Sequence, residues 1–244
     1  MVGFDRYAAV GVAVLLGLFG IMLAESLGLV GGFAVSALTG SRGLVVVASL
    51  VVGQVLALSG VYFAFVWLTD RGFNYARVRT PDLGDVVYSG VAVVGMFLAL
   101  VSVGFVAQNV FGVEPAVHSI QTLVEDNPVL ALYLVPVSIL VIGPMEELLF
   151  RGLIQTYLGE YFDVEVAVVL ASLVFAAVHL GPYGVQAESL GHVLVPVSVT
   201  FVGGLVFGWL YEVRGNLVAP AAAHGFYNAI QFGLLYVAIT WELM

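Results

Sequence analysis

Long runs of apolar residues follow one another along this sequence, and they restrict the fold more than any other feature. A run of ~18 or more apolar residues can cross the hydrocarbon core of a bilayer as a helix. Inside a bilayer the backbone polar groups must be satisfied within the protein, which favours helices. We count seven runs, at about residues 7–29, 44–68, 87–109, 129–158, 164–180, 193–213 and 217–240. They predict an all-α fold, a polytopic transmembrane helix bundle of about seven spans, within a range of six to eight.

Composition agrees with one integral membrane domain over residues 1–244. Only 9% of the residues are charged and 61% are hydrophobic, whereas a soluble domain carries roughly a quarter charged residues. The chain has no cysteine, which excludes disulfides, thiol nucleophiles and cysteine-bound metals. Sixteen acidic residues against seven arginines argue against nucleic acid as a partner, because phosphate binding requires a basic patch. The expected surroundings are the lipid bilayer.

The arginines predict the orientation of the bundle. Cytoplasmic loops of membrane proteins carry an excess of Arg and Lys. We therefore predict a multi-pass protein of the cell membrane with a cytoplasmic N-terminus and Arg42 outside. Six of the seven arginines then fall on the cytoplasmic side, namely Arg6, Arg71, Arg77, Arg79, Arg151 and Arg214.

Glycines mark two further stretches. The segment Gly28–Gly40 is glycine-rich, and we predict a loop or a short re-entrant segment there. Gly204 and Gly208 form a small-xxx-small pair in the sixth run, which favours a packing groove against a neighbouring helix. A groove that admits an extended substrate is the alternative interpretation of that pair.

Two adjacent glutamates lie in the middle of the fourth run. A charged residue at the centre of a bilayer costs roughly 3 kcal/mol on insertion scales, so the pair predicts a functional site. Glu147 and Arg151 stand at i,i+4 and are predicted to form an ion pair. Glu146 points ~100° away around the helix and is predicted to face the bundle interior. Alternatively, both acids reach the cytoplasmic interface from a helix end.

Two later motifs supply imidazoles and an amide. Phe175 and His179 stand four residues apart in the fifth run, and His224 and Asn228 do so in the seventh. A carboxylate with two imidazoles can hold and deprotonate a water molecule, directly or through a metal. The amide of Asn228 could donate a hydrogen bond to a developing oxyanion. His118 and His192 fall in predicted outer loops, and we interpret them as surface residues.

The three motifs, Glu-Glu-x-x-x-Arg, Phe-x-x-x-His and His-x-x-x-Asn, occur in this order on separate helices. Together they resemble the CPBP family of intramembrane proteases, which includes CAAX prenyl endopeptidases of the Ras-converting type. The resemblance covers roughly residues 129–240, which would be the catalytic core helices. It implies hydrolysis of a peptide bond in a peptide or a prenylated protein substrate, with CAAX-type C-terminal processing as one such reaction.

The resemblance also implies roles for the motif residues. Glu146 and His179 would activate water, and His224 with Asn228 would complete the site as oxyanion stabiliser or metal ligand. Glu147, Arg151 and Phe175 would support the site. Glu146, His179 and His224 could hold zinc with water in the fourth position. We favour a glutamate–histidine pair that requires no metal, with zinc as the alternative.

One geometric difficulty and two rival functions accompany this prediction. At ~1.5 Å per residue, Glu146 would lie ~18 Å deep, His179 ~22 Å and His224 ~10 Å, so a helix end, kink or tilt must differ from a straight count. An ion- or proton-coupled transporter also uses intramembrane Glu and His residues, but usually shows internal repeats. A non-catalytic membrane scaffold is the third class, because fold does not fix function.

Overall fold

The computed structural model describes residues 2–185 and 187–243, which form helices and no β-strand. We number the helices in chain order and keep the π-helical turns within them. They are α1 (Val2–Ser36), α2 (Arg42–Leu68), α3 (Leu83–Phe111), α4 (Ser119–Asp126), α5 (Val129–Leu158), α6 (Val164–Gly184), α7 (Leu190–Arg214) and α8 (Val218–Thr240). The predicted all-α fold is confirmed.

Six of these helices, all except α4 and α8, are long and apolar enough to cross a membrane. The number lies within the predicted range of six to eight. Helix α8 has 23 residues, but its side chains include His224, Asn228 and Gln231, which reduce its mean hydropathy. It packs against α3 and α5, and His224 is buried among protein groups. The third motif thus lies on a long helix that is not among these six.

The prediction of a loop or re-entrant segment at Gly28–Gly40 is wrong, because α1 continues unbroken to Ser36. The glycines instead let α1 pack tightly against α2. A Cβ atom at Gly28 would lie 2.7 Å from the carbonyl oxygen of Ser49, and one at Gly31 would lie 2.7 Å from Cβ of Val52. Small residues at a helix interface allow such close approach in membranes. The glycine pattern thus reports helix packing rather than a break in the helix.

Three π-helical turns interrupt the α-helical geometry close to the first motif. They cover Gln54–Leu58 in α2, and Ser138–Ile142 and Leu148–Gln155 in α5. A π-turn accommodates an extra residue and occurs frequently at functional sites. A straight count of residues therefore misplaces side chains on α2 and α5, whereas the helices before His179 and around His224 contain no π-turn. Glu147 and His224 in fact lie in hydrogen-bond contact.

The polar segment between α2 and α3 is fixed to the turn between α7 and α8. Asp85, which is 2% exposed, accepts hydrogen bonds from Arg214 Nε at 2.8 Å and Asn216 Nδ2 at 2.9 Å. Asp82 and Asp85 form a capping box at the start of α3. Arg77 pairs with both carboxylate oxygens of Glu212 at 2.9 Å. These bonds connect α3 and the segment before it to α7 and α8, the two helices that follow the first two motifs.

Arg151 departs from the predicted distribution of arginines. Its side chain is 1% exposed and lies inside the bundle, not in a cytoplasmic loop. It therefore provides no evidence on orientation. The remaining arginines still divide five against one under the predicted orientation, which stays a prediction.

Candidate active site

A buried ion pair forms the base of the site. Arg151 Nη1 donates to Glu147 Oε1 at 2.8 Å, as the i,i+4 spacing predicts. Arg151 Nη2 also donates to the carbonyl oxygen of Gly204 on α7 at 3.1 Å, and the guanidinium lies 4.6 Å from the ring centroid of Phe175. Glu147 is fully buried. The arginine is thus held by three helices at once, α5, α6 and α7.

The glycine pair on α7 provides carbonyl oxygens that accept hydrogen bonds from α5. Arg151 and Gln155 on α5 donate to the carbonyl oxygens of Gly204 and Gly208, respectively, each at 3.1 Å. A Cβ atom at Gly204 would lie 2.8 Å from Cβ of Ser172 on α6. The pair therefore forms a packing groove that is filled by side chains of the same chain, as the first interpretation predicts.

His224 lies between the two glutamates. Its Nδ1 lies 2.8 Å from Glu147 Oε1, and its Nε2 lies 4.0 Å from Glu146 Oε2. The ring stacks on Phe207 with a centroid distance of 5.1 Å and an interplanar angle of 17°. An ionised carboxylate can only accept, so we assign the Nδ1 proton to the bond with Glu147. In the neutral imidazole, Nε2 is then the acceptor, and it faces Glu146.

Glu146 is 8% exposed and is held at one oxygen only. Gln54 Nε2 on α2 donates to Glu146 Oε1 at 3.3 Å. Glu146 Oε2 is buried and has no hydrogen-bond partner among the described residues. Buried polar atoms in proteins almost always have a partner, so an orphaned carboxylate oxygen needs an explanation. The carboxylate has the features of a reactive group: one oxygen is fixed, and the other is available.

His179 stands at the end of the regular part of α6. Its Nδ1 lies 2.7 Å from the carbonyl oxygen of Phe175, which can only accept, so Nδ1 carries the proton and Nε2 is left as an acceptor. The ring lies edge-on to Phe175 at 4.7 Å between centroids. Phe175 also contacts His224 edge-on at 5.9 Å. The phenyl ring of Phe175 therefore separates and orients the two imidazoles.

The structure brings the motif residues together only in part. No hydrogen bond joins Glu146 to His179 in the part of the chain that is described, and His224 pairs with Glu147 instead. Asn228 lies one turn after His224 on α8, is half-buried, and makes no side-chain hydrogen bond to a described residue. The roles assigned to these residues remain predictions.

Sequence reasoning missed two members of the site and misjudged one histidine outside it. Gln54 and Phe207 lie on helices without a motif, and the only signal for Gln54 was a long polar side chain within an apolar run. His118 was predicted to be a surface residue, but it is only partly exposed. It packs edge-on against Tyr183 at 4.9 Å between centroids, and burial, helped by the nearby charge of His179, lowers the pKa of His118 to about 4.

The predicted zinc ligands do not form a cluster. Within residues 2–185 and 187–243, no group of three or more His, Asp or Glu side chains is arranged to hold a metal ion. The residues present, in this arrangement, do not fit a three-ligand zinc site, in which each ligand atom lies ~2.0–2.2 Å from the metal. We therefore derive no chemical step through a metal.

The fold and the site together define a polytopic membrane protein with a buried carboxylate–imidazole centre. Residues 128–230 match the family model described as Type II CAAX prenyl endopeptidase Rce1-like. This match includes all three motifs and confirms the resemblance that they predict, and the family supports a membrane protease.

A curated relative gives less information. A stretch of 91 residues is 36% identical to the uncharacterized protein YpbD of Bacillus subtilis (strain 168). The similarity covers 37% of this chain and 40% of that protein. No solved structure gives a significant match.

Proposed function

We propose that this protein is an intramembrane endopeptidase that hydrolyses a peptide bond near the C-terminus of a prenylated or otherwise membrane-bound substrate. The observation that carries the proposal is the position of His224, whose ring nitrogens face two adjacent buried carboxylates. The distances are 2.8 Å to Glu147 and 4.0 Å to Glu146. The match of residues 128–230 to a family of prenyl endopeptidases supports the same activity.

Water activation is proposed for Glu146. Its unpartnered Oε2 accepts a proton from water while the water oxygen attacks the carbonyl carbon of the scissile peptide. The proton then passes to the peptide nitrogen as the C–N bond breaks, which leaves a new carboxylate and a free amine. His179 Nε2 offers a second proton acceptor. A positioned general base contributes typically 10²–10⁴-fold to the rate.

Stabilisation of the tetrahedral intermediate is proposed for α8. His224, when protonated on both nitrogens, donates Nδ1–H to Glu147 and Nε2–H to the oxyanion. The amide of Asn228, on the same helix face at i+4, supplies a second donor. Glu147 and Arg151 hold the imidazole in orientation, as a carboxylate does in other hydrolytic sites.

Residues on the polar side of the bundle support an approach of the substrate from the cytoplasm. Under the proposed orientation, with a cytoplasmic N-terminus in the cell membrane, the segment from Asp70 to Asp82 and the turn at Gly215 face the cytoplasm. A prenylated C-terminus lies at the surface of that leaflet, because its lipid enters the bilayer. The substrate class follows from the family and is part of the proposal.

The test uses purified protein in lipid nanodiscs and a fluorogenic prenylated CAAX peptide, with an unprenylated CAAX peptide in parallel. We expect cleavage by the wild type, and at least a 10²-fold loss in Glu146→Gln at unchanged thermal stability. The matched control is Glu165→Gln, because Glu165 is an exposed carboxylate in the first turn of α6. Full activity of Glu146→Gln would refute the assignment. A chelator that abolishes cleavage would show that a metal is required.

A further inference from the structure

Gln54 is unlike the other polar residues of α2. Ser49 and Ser59 bond to carbonyl oxygens of their own helix, at Val45 and Val55. Such bonds satisfy a hydroxyl inside a membrane helix without a partner helix. Tyr62 donates to Phe73 in the segment that follows α2. Gln54 is the amide or hydroxyl of α2 that bonds to another membrane-spanning helix, and its partner is Glu146 on α5. A long amide in an apolar span is unfavourable in lipid, so its contact with Glu146 needs a reason beyond helix packing.

The hydrogen bond has a defined direction. The donor–acceptor distance between Gln54 Nε2 and Glu146 Oε1 is 3.3 Å. The opposite amide orientation would place an oxygen against an ionised carboxylate, which has no proton to donate. The amide oxygen of Gln54 and Oε2 of Glu146 are both buried without a partner among the described residues. Gln54 therefore contacts one oxygen of the carboxylate and leaves the other one without a hydrogen-bond partner among the described residues.

The backbone of α2 fixes the position from which Gln54 reaches the site. The π-turn Gln54–Leu58 begins at this residue, and Gly53 immediately before it packs against the backbone of Ala24 on α1. Gly53 is buried, and a Cβ atom there would overlap the Ala24 carbonyl oxygen. A side chain that extends from a locked backbone holds its partner more accurately than one on a mobile loop.

We infer that Gln54 is a positioning residue of the active site, which holds the Glu146 carboxylate with Oε2 towards His224. It acts through Glu146 and does not itself touch the reacting atoms. Gln54 lies outside the region 128–230 that matches the family, so the first part of the chain supplies a member of the site. The inference rests on the proposed function.

The first measurement is kinetic. Cleavage of the CAAX peptide is followed from pH 4 to 9 in the wild type, Gln54→Leu and Gln54→Glu, with Ser59→Ala as the matched control in the same helix. In Gln54→Leu we expect kcat at neutral pH to fall about tenfold with KM within twofold, and the acid limb of the pH–rate profile to move up by about one pH unit. Gln54→Glu should move the acid limb further, because two like charges then face each other. Ser59→Ala should match the wild type.

The second measurement does not depend on activity. Infrared pH titration follows the carboxyl band that is missing in Glu146→Gln and therefore belongs to Glu146. The midpoint of this band should move to higher pH in Gln54→Leu and stay unchanged in Ser59→Ala. If the wild type cleaves no peptide, the proposed function fails, and the infrared titration still decides the role of Gln54. An unchanged midpoint in Gln54→Leu, or wild-type kcat and pH profile, would overturn the inference.

Discussion

Replacement of Arg151 by methionine removes the positive charge beside Glu147 and keeps a side chain of similar length. Arg151 is 1% exposed and Glu147 is fully buried, so water cannot solvate the carboxylate that remains. Loss of one partner of a buried pair costs about 3–5 kcal/mol, because a charge is left without compensation. His224 still donates to the same oxygen of Glu147 at 2.8 Å. We therefore expect Arg151→Met to lower the free energy of unfolding by about 3 kcal/mol, the lower end of that range.

A double-mutant cycle tests this argument, because its second substitution, Glu147→Gln, removes the unpaired charge that Arg151→Met leaves behind. When Glu147→Gln is combined with Arg151→Met, no unpaired charge stays in the core, and we expect at least half of the lost stability to return. The sum of the two single effects would then exceed the effect of the double variant by at least about 1.5 kcal/mol plus the whole cost of Glu147→Gln alone, because two residues in direct contact are coupled. Arg42→Met is the matched control, because Arg42 is exposed at the start of α2.

The assay is reversible unfolding in mixed micelles by increasing detergent denaturant, followed by tryptophan fluorescence and helical circular dichroism. Arg42→Met should change the free energy of unfolding by less than about 0.5 kcal/mol, as surface substitutions usually do. An Arg151→Met variant within about 1 kcal/mol of the wild type would refute the argument. It would mean that the imidazole alone compensates the buried carboxylate.

Three further outcomes are expected. The pKa of His118 is about 4 in the folded protein, so between pH 6.5 and 4 the unfolded chain binds more protons at this residue than the folded one. The free energy of unfolding therefore falls as pH drops, by about 3 kcal/mol at pH 4. His118→Phe should abolish this loss, whereas His192→Phe should not. Gly204→Val should destabilise by about 1–3 kcal/mol, because its Cβ would meet the facing helix at 2.8 Å, whereas Gly60→Ala, with open space around it, should be tolerated. Asn228→Ala should lower kcat by about 10²-fold at unchanged stability, and an unchanged kcat would contradict a role as oxyanion donor.

Local spacing made part of the site predictable. Glu147 and Arg151 lie one turn apart on one helix, and their pairing depends on little besides that helix. The pairing of Glu147 with His224 spans 77 positions and depends on how α5 and α8 cross, which no periodicity in either segment reports. The same holds for Gln54, which is 92 positions from Glu146. Sequence therefore indicated which residues carry the chemistry better than which residues they contact.

The errors in the predicted fold concern a glycine-rich segment and the depths of side chains along the helices. A glycine-rich segment fits a loop and a tight helix crossing equally well, and only the facing Ser49 and Val52 decide between them at Gly28 and Gly31. The π-turns have no signature in the residue pattern, yet they rotate the side chains that follow them. A depth counted along an ideal helix was also in error for Glu146 and His224, because Oε2 of the first and Nε2 of the second lie 4.0 Å apart.

The buried ion pair also has a consequence for the order in which the chain enters the membrane. Synthesis proceeds at about 5–20 residues per second, so His224, 77 positions after Glu147, emerges roughly 4–15 s later. During that interval α5 must reside in the translocon or the lipid without α8, and for most of it without a complete α7. Arg151 on the same helix can neutralise Glu147 throughout, and Gln54, already inserted with α2, can receive Glu146. The ion pair thus allows α5 to enter the membrane before the residues that complete its site have been synthesised.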